Sequence, residues 1–437
     1  MATAATPNHE KPATGQKETD PLARQVAMAI RAQASGRLND FYGARGYWPM
    51  WVHDGALGKE ADKLADALES ADLDGLNPRR YKADRVREAI AQAESGTPEA
   101  LARAELTLSE AFARYAIDMR RPAGDVKITY LDAELEPKKQ REDDVLRAAS
   151  MASSLAHYIG GMEWMSQLYA TRRAALARYL KAGGKDATEE KRLRLNLDRA
   201  RLLPGPWTRH VVVDAASARL WYYADGKQQG TMRVVVGEPE TPTPMLAGMV
   251  RYATLNPYWN VPTDLVQKRI APKVLKGASL KAMGYEALSD WTANAAVLDP
   301  KTIDWQAVAD GREELRVRQL PGKTNAMGRV KFMFPNDQGI YLHDTPSRSL
   351  FTKTARQFSN GCVRLEDAQR LGRWFFDAPL AAKSKKPEEQ RPLPQPVPVY
   401  LTYLTAAPTE KGVGFLDDVY GRDGLDGRSG KDGRDGK

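Results

Sequence analysis

Tyr341-Leu342-His343-Asp344-Thr345-Pro346, followed by Ser359-Asn360-Gly361-Cys362-Val363-Arg364, is the stretch on which the reading of this chain turns. It holds the only cysteine among 437 residues and one of five histidines. A thiol with an unperturbed pKa near ~8.5 is mostly protonated at neutral pH, so a nucleophilic cysteine needs a base, and His343 is the nearest candidate. The run Gly339-Ile340-Tyr341-Leu342-His343 alternates like a strand, which puts His343 at a strand end where the backbone aims it. Gly361 allows a close approach or a positive φ and exposes the N–H groups of Gly361 and Cys362 to an oxyanion. Arg364, two positions on, falls on the same side of an extended chain as Cys362 and offers a cation to a substrate carboxylate. A lone cysteine is more often a small buried hydrophobe, and that reading stands beside the catalytic one.

Val330-Lys331-Phe332-Met333-Phe334-Pro335-Asn336, then the two segments above ending at Leu365, resemble the three-part motif of the L,D-transpeptidases with a YkuD-type catalytic domain. The likeness is closest to the YcbB-like subgroup, large periplasmic members with a helical scaffold domain. Many members carry a histidine just before the glycine-cysteine pair; Asn360 stands there instead, a subgroup mark that leaves His343 as the one base. The resemblance implies that Cys362 attacks a peptidoglycan stem peptide and that His343 handles the proton. Backbone donors at Gly361 and Cys362, helped by the Tyr341 hydroxyl, would steady the oxyanion. Asp344 would orient the imidazole through its backbone carbonyl or its side chain, Ser359 and Asn360 would shape the loop, and Arg364 would hold a stem carboxylate or brace that loop. It further implies donor and acceptor stem peptides as partners, carbapenems as acylating inhibitors and glycan-polymerising enzymes as associates, with no metal or organic cofactor and a periplasmic location.

Composition sets the outer bounds. The formal charge of +9 and the pI near 9.3 suit a polyanionic neighbour, yet zinc-finger spacing, an RNA-binding motif and a dense Lys/Arg helix are all missing, so a carboxylate-rich wall or an anionic surface fits better than nucleic acid. One cysteine cannot form an intramolecular disulfide. Residues 1–19 lack the apolar core of a signal peptide or anchor and read as disordered.

From 20 to 183 the period is helical, and the chain reads as a scaffold domain. Thr97-Pro98 starts a helix whose Leu101, Ala104, Leu108, Ala111, Tyr115 and Met119 share one face. Phe41, Tyr42, Tyr47, Trp48 and Trp51 are favoured as a helix-junction core over a sugar-stacking platform, because aromatic residues dominate cores. A linker over 184–206, including a charged helix from Thr188 to Arg201, leaves no space for a separate wall-binding module. From 207 the period becomes two, with strands at 210–213, 219–223 and 231–236, the last two joined across Asp225-Gly226. Thr241-Pro242-Thr243-Pro244 reads as a stiff connection, Leu365–Phe376 as a helix packing on the sheet, and Pro398–Leu404 as a closing strand with its proline near the start, where an edge strand permits it. Trp259 is placed equally well in a cleft or a core. Residues 263–315 read as a helical capping insertion inside the catalytic domain of 207–405, and 406–437 as a flexible tail rich in Gly, Asp and Arg. The expected class is α+β, a helical scaffold followed by a mainly β catalytic domain. Two other functions use the same residues: a cysteine L,D-carboxypeptidase that hydrolyses stem peptides, and a wall-binding protein with a vestigial site.

Overall fold

The computed structural model describes residues 20–121, 126–292, 294–410 and 412–424. The expectation for residues 1–19 and most of the glycine-every-third-residue stretch lie outside these. The chain divides into two compact units, one helical and one mainly β.

Among the described residues, nine α-helices build the first unit: α1 (Pro21–Gln33), α2 (Gly36–Ala44), α3 (Glu60–Glu69), α4 (Ala83–Ala93), α5 (Pro98–Met119), α6 (Glu142–Ser150), α7 (Leu155–Gly160), α8 (Gln167–Lys181) and α9 (Ala187–Arg201). A two-stranded hairpin, β1 (Val52–His53) and β2 (Ala56–Leu57), sits between α2 and α3. All six face residues named for α5 are buried. Thr97 occupies its N-cap in extended conformation but its side chain accepts no capping hydrogen bond; Pro98, whose missing N–H costs nothing in a first turn, marks the start. Of the aromatic cluster, Phe41, Tyr42 and Trp51 are buried in the core, while Tyr47 and Trp48 are half-buried. Its polar ends converge on Glu105 of α5, which accepts the Tyr42 hydroxyl at 2.7 Å and the Trp51 and Val52 amides at 2.9 and 3.1 Å. Without those donors a fully buried carboxyl would be prohibitive.

The second unit is organised by a sheet that closes on itself. Its strands are β3 (Thr129–Tyr130), β4 (His210–Asp214), β5 (Arg219–Ala224), β6 (Lys227–Gly237), β7 (Leu246–Leu255), β12 (Val330–Met333), β13 (Leu342–His343), β14 (Gln357–Ser359), β15 (Val363–Leu365) and β16 (Glu389–Thr402). The order β12-β13-β15-β6-β5-β4-β16-β7 returns to β12 through a β7–β12 pairing, giving a ring of eight strands, with β3 beside β7 and β14 beside β6. Inward Val, Leu and Phe side chains fill it, among them Val213, Val234, Val250, Phe332, Leu342 and Val363, as expected where eight strands enclose only enough space for side chains. Asp225 and Gly226 both have positive φ, the requirement of the tight hairpin turn that joins β5 to β6. Helix α13 (Ala368–Phe376), which begins three residues later than the expected Leu365, packs Leu371 and Phe375 on this core, Phe375 meeting Phe332 edge-on at 5.0 Å.

Two expectations change. The strand expected to start at Pro398 runs from Glu389 and lies between β4 and β7 and not at an edge. Its prolines precede Val399, where pairing with β4 begins, so their missing N–H groups leave that ladder intact. The tail also starts later: β17 (Ala406–Thr409) and β18 (Gly412–Phe415) form a hairpin belonging to the helical unit, and beyond it Tyr420 stacks on Tyr403 at 5.0 Å.

The insertion between β7 and β12 is mixed and not purely helical. It holds β8 (Trp259–Val261), β9 (Tyr285–Leu288), β10 (Val297–Leu298) and β11 (Arg316–Gln319), ordered β10-β9-β11-β8. Helix α10 (Thr263–Leu265) passes through a π turn (Val266–Ile270) into α11 (Ala271–Leu275), and α12 (Trp305–Ala309) follows. Val261, Val266, Ile270, Trp305 and Val317 give this cap its own small core. Strands of two to four residues carry too few alternations to be seen in a sequence.

Candidate active site

The parallel pair β13–β15 aligns Leu342 with Val363 and His343 with Arg364. Because successive side chains alternate, Leu342 and Val363 both enter the core, while Tyr341, His343, Cys362 and Arg364 all project from the opposite face. One further bond, from the Val363 N–H to the Tyr341 carbonyl at 2.9 Å, extends the pairing back beside the cysteine. Strand spacing and rise imply about 8 Å between the Cα atoms of Cys362 and His343, a span that a thiol and an imidazole can bridge. All four residues line one cleft of about 610 Å³ between this face and the cap.

His343 is 3% exposed, and its Nδ1 lies 2.6 Å from the Asp344 carbonyl oxygen. That oxygen can only accept, so Nδ1 carries the proton and Nε2 keeps its lone pair. Burial, then the Arg364 charge on one neighbouring strand and the Lys331 charge on the other, push the imidazole down to about 3. The Cys362 thiol is half-buried and donates to the Gly339 carbonyl at 3.3 Å. Burial pushes it up, opposed by a hydrogen bond from the Tyr341 backbone and by Arg364. Burial thus favours the neutral form of both groups.

The cysteine loop is fixed by Ser359, named above, and by Thr243 and Arg356, which the sequence reading passed over. Gly361 has φ +98°, and a Cβ there would come within 2.9 Å of the Ile340 side chain. Its carbonyl accepts the buried Thr243 hydroxyl at 2.8 Å, and that oxygen in turn accepts the Gly237 N–H at 2.9 Å. Ser359, buried, donates to the Cys362 carbonyl at 2.5 Å, and its own carbonyl accepts the Glu238 N–H at 2.8 Å. The Gly361 carbonyl is thereby turned towards Thr243, and across the trans peptide the Cys362 N–H points the opposite way. Arg356 ties the approach to this loop down, donating to the carbonyls of Ser217, Ala218 and Val234. Thr243 had been visible only as part of a stiff Thr-Pro-Thr-Pro connection.

The remaining expected residues divide. Asn360 is exposed at the cleft edge, and Tyr341 is half-buried in its wall. Trp259 does both things foreseen for it, lining the cleft and packing on the cap's core. Of the two routes open to Asp344, the backbone carbonyl is the one used: its buried carboxylate instead accepts the Arg329 N–H at 2.9 Å and pairs with Arg348 at 2.5 Å. Arg364 makes no ion pair among the described residues.

Residues 208–378 match the family model described as L,D-transpeptidase catalytic domain, and residues 36–176 match the one described as Scaffold domain. The chain thus carries a YkuD-type L,D-transpeptidase catalytic domain, which a Scaffold domain precedes. A curated Haemophilus influenzae protein named "Putative L,D-transpeptidase" is 29% identical over 303 residues, 67% of this chain, and the chain spans 61% of that relative's length. Among solved structures, an L,D-transpeptidase from Mycobacterium smegmatis is 14% identical with a TM-score of 0.22, and LdtMt1 in complex with imipenem is 13% identical with a TM-score of 0.21; each alignment covers 44% of this chain and 58% of the other.

Proposed function

We propose that this protein is a peptidoglycan L,D-transpeptidase that works through a Cys362 thioester and forms 3-3 cross-links between stem peptides. The observation that carries this is the projection of Cys362, His343, Tyr341 and Arg364 from one face of adjoining strands into a single cleft. Cys362 sulfur bonds to the carbonyl carbon between the L-centre and the terminal D-residue as its proton passes to Nε2 of His343. The oxyanion so formed is met by the Cys362 N–H, with the Tyr341 hydroxyl within the same wall. Collapse breaks the carbon–nitrogen bond, and the imidazolium returns its proton to the departing amine. An amine on a second stem then attacks the thioester, yields its proton to His343 and releases the thiol.

Cap residues line the cleft that holds Cys362, and a cap that limits water there would favour transfer over hydrolysis. A carboxypeptidase would use the same pair, so products with and without an acceptor amine distinguish the two activities. Carbapenems, which carry a strained acyl bond and a carboxylate, would acylate Cys362. Work on a wall polymer would set the reaction in the periplasm, beside glycan-polymerising partners. Mass analysis after incubation with a tetrapeptide donor tests the reading: a covalent acyl adduct on Cys362 is expected, and an unmodified protein would refute it.

A further inference from the structure

Past β18 the chain ties itself into a small knot around Asp418. The Asp418 carboxylate accepts the Arg422 and Asp423 N–H groups at 2.9 and 2.7 Å, and its carbonyl accepts the Gly421 N–H at 3.0 Å. Gly421 takes a positive φ of +64° in this turn. Asp423, buried, accepts the Thr405 hydroxyl at 2.7 Å, and the Tyr420 N–H donates to the Tyr403 hydroxyl at 3.1 Å. The Arg422 guanidinium lies 4.8 and 5.4 Å over the rings of Tyr420 and Tyr403, which stack on one another. Two polar side chains are thus held still on a stretch that reads in the sequence as a tail.

What they touch is the support of the cysteine loop. The Tyr420 hydroxyl donates to the Gly237 carbonyl at 2.5 Å, and Arg422 Nη1 donates to the Thr243 carbonyl at 3.0 Å. Gly237 and Thr243 are the residues whose N–H and hydroxyl run in series to the Gly361 carbonyl, beside Cys362. The turn between them folds tightly on itself, since a Cβ on Gly237 would collide with the Thr241 carbonyl and the Thr243 nitrogen. Both ends of a proline-bearing turn are therefore held by one knot, and only Gly237 and Thr243 stand between the Tyr420 hydroxyl and the cysteine loop. Acyl transfer tolerates little error in aim: a misplacement of about 1 Å can cost on the order of a hundredfold in rate.

We propose that Tyr420 and Arg422 are positioning residues for Cys362, bracing the Gly237–Thr243 turn and through it fixing the cysteine loop for attack. The consequence for rate rests on the acyl-transfer reading above; the consequence for the loop does not. In the full-length protein Tyr420→Phe keeps the ring on Tyr403 and removes only the donor. Hydrogen exchange read by mass spectrometry becomes roughly three- to tenfold faster over residues 359–363, the effect of one lost hydrogen bond, and stays unchanged over 211–213 of β4. Acylation by a carbapenem slows by a similar factor in its bond-forming step, while the affinity of the complex that precedes it is unchanged. Tyr420→Phe combined with Thr243→Val slows acylation by less than the product of the two separate factors, because both act along one line of bonds. Arg422→Gln loosens the same loop, Arg422→Lys restores part of its protection, and Val419→Ala, at an exposed neighbouring position, matches wild type. Wild-type loop exchange in Tyr420→Phe and Arg422→Gln, exchange that quickens equally over β4, or rate factors that simply multiply would each overturn the brace. A wild-type protein that never acylates would defeat the activity alone, and the exchange of the loop would still decide the brace.

Discussion

Nδ1 of His343 lies 2.6 Å from the carbonyl oxygen of Asp344, and this one contact settles which imidazole nitrogen can accept a proton. With the imidazole held down to about 3 by burial and two flanking cations, the base is already unprotonated well below neutrality. The acylation rate of Cys362 should stay nearly level from pH 8 down to about 5, because no essential group titrates there. Mass-detected acylation across that range checks it; a fall centred near 6.5 would mean that the histidine behaves as if exposed.

The same depression has a stability consequence. Between pH 6.5 and about 3 the unfolded chain takes up a proton that folded His343 refuses, and His210, pushed down to about 4 by burial, behaves likewise. Stability is therefore full above pH 6.5 and is lost as pH drops through this window, on the order of 3 kcal/mol per histidine. Urea unfolding at pH 7 and pH 4 measures the loss, which His343→Gln should make smaller.

Thr243→Val should impair acylation without removing either catalytic group. It deletes the hydroxyl that holds the Gly361 carbonyl and leaves the Gly237 N–H without its acceptor, at a cost of about 1–3 kcal/mol. An expected tenfold or greater drop in the rate with carbapenem, alongside a lowered melting temperature, follows from loss of aim at the cysteine. An unchanged rate would show that the loop holds its shape without this bond.

Asp344→Asn separates position from charge. The carboxylate serves Arg329 and Arg348, and only the backbone oxygen serves the imidazole. The variant should lose stability, about 1–3 kcal/mol, while the pH dependence of acylation stays level. A changed pH profile would give the side chain the role of orienting the histidine.

How far the sequence could be read follows from the range of the forces involved. His343, Cys362 and Arg364 were legible because alternation along two short strands fixes their common face whatever the rest of the chain does. The Asp225-Gly226 turn and the buried stripe of α5 were legible for the same local reason. Thr243 was not, since its partner is 118 residues away in the chain, and a hydroxyl carries no mark of where it will donate. Closure of the sheet between β7 and β12, and the strands of the cap, depend on long-range pairing that segments of two to four residues do not announce. The proline-bearing β16 misled because its prolines were read as an edge, when they occupy only the half of the strand that β4 does not pair.

The central claim is a thiol that becomes an acyl carrier with the help of one imidazole. Intact-mass analysis of the wild-type, Cys362→Ala and His343→Ala proteins after exposure to a carbapenem tests it most directly. A single adduct on the wild-type protein, none on Cys362→Ala, and formation slowed roughly a hundredfold or more on His343→Ala is the predicted result. An adduct that persists in Cys362→Ala, or one that forms at the wild-type rate in His343→Ala, would contradict it.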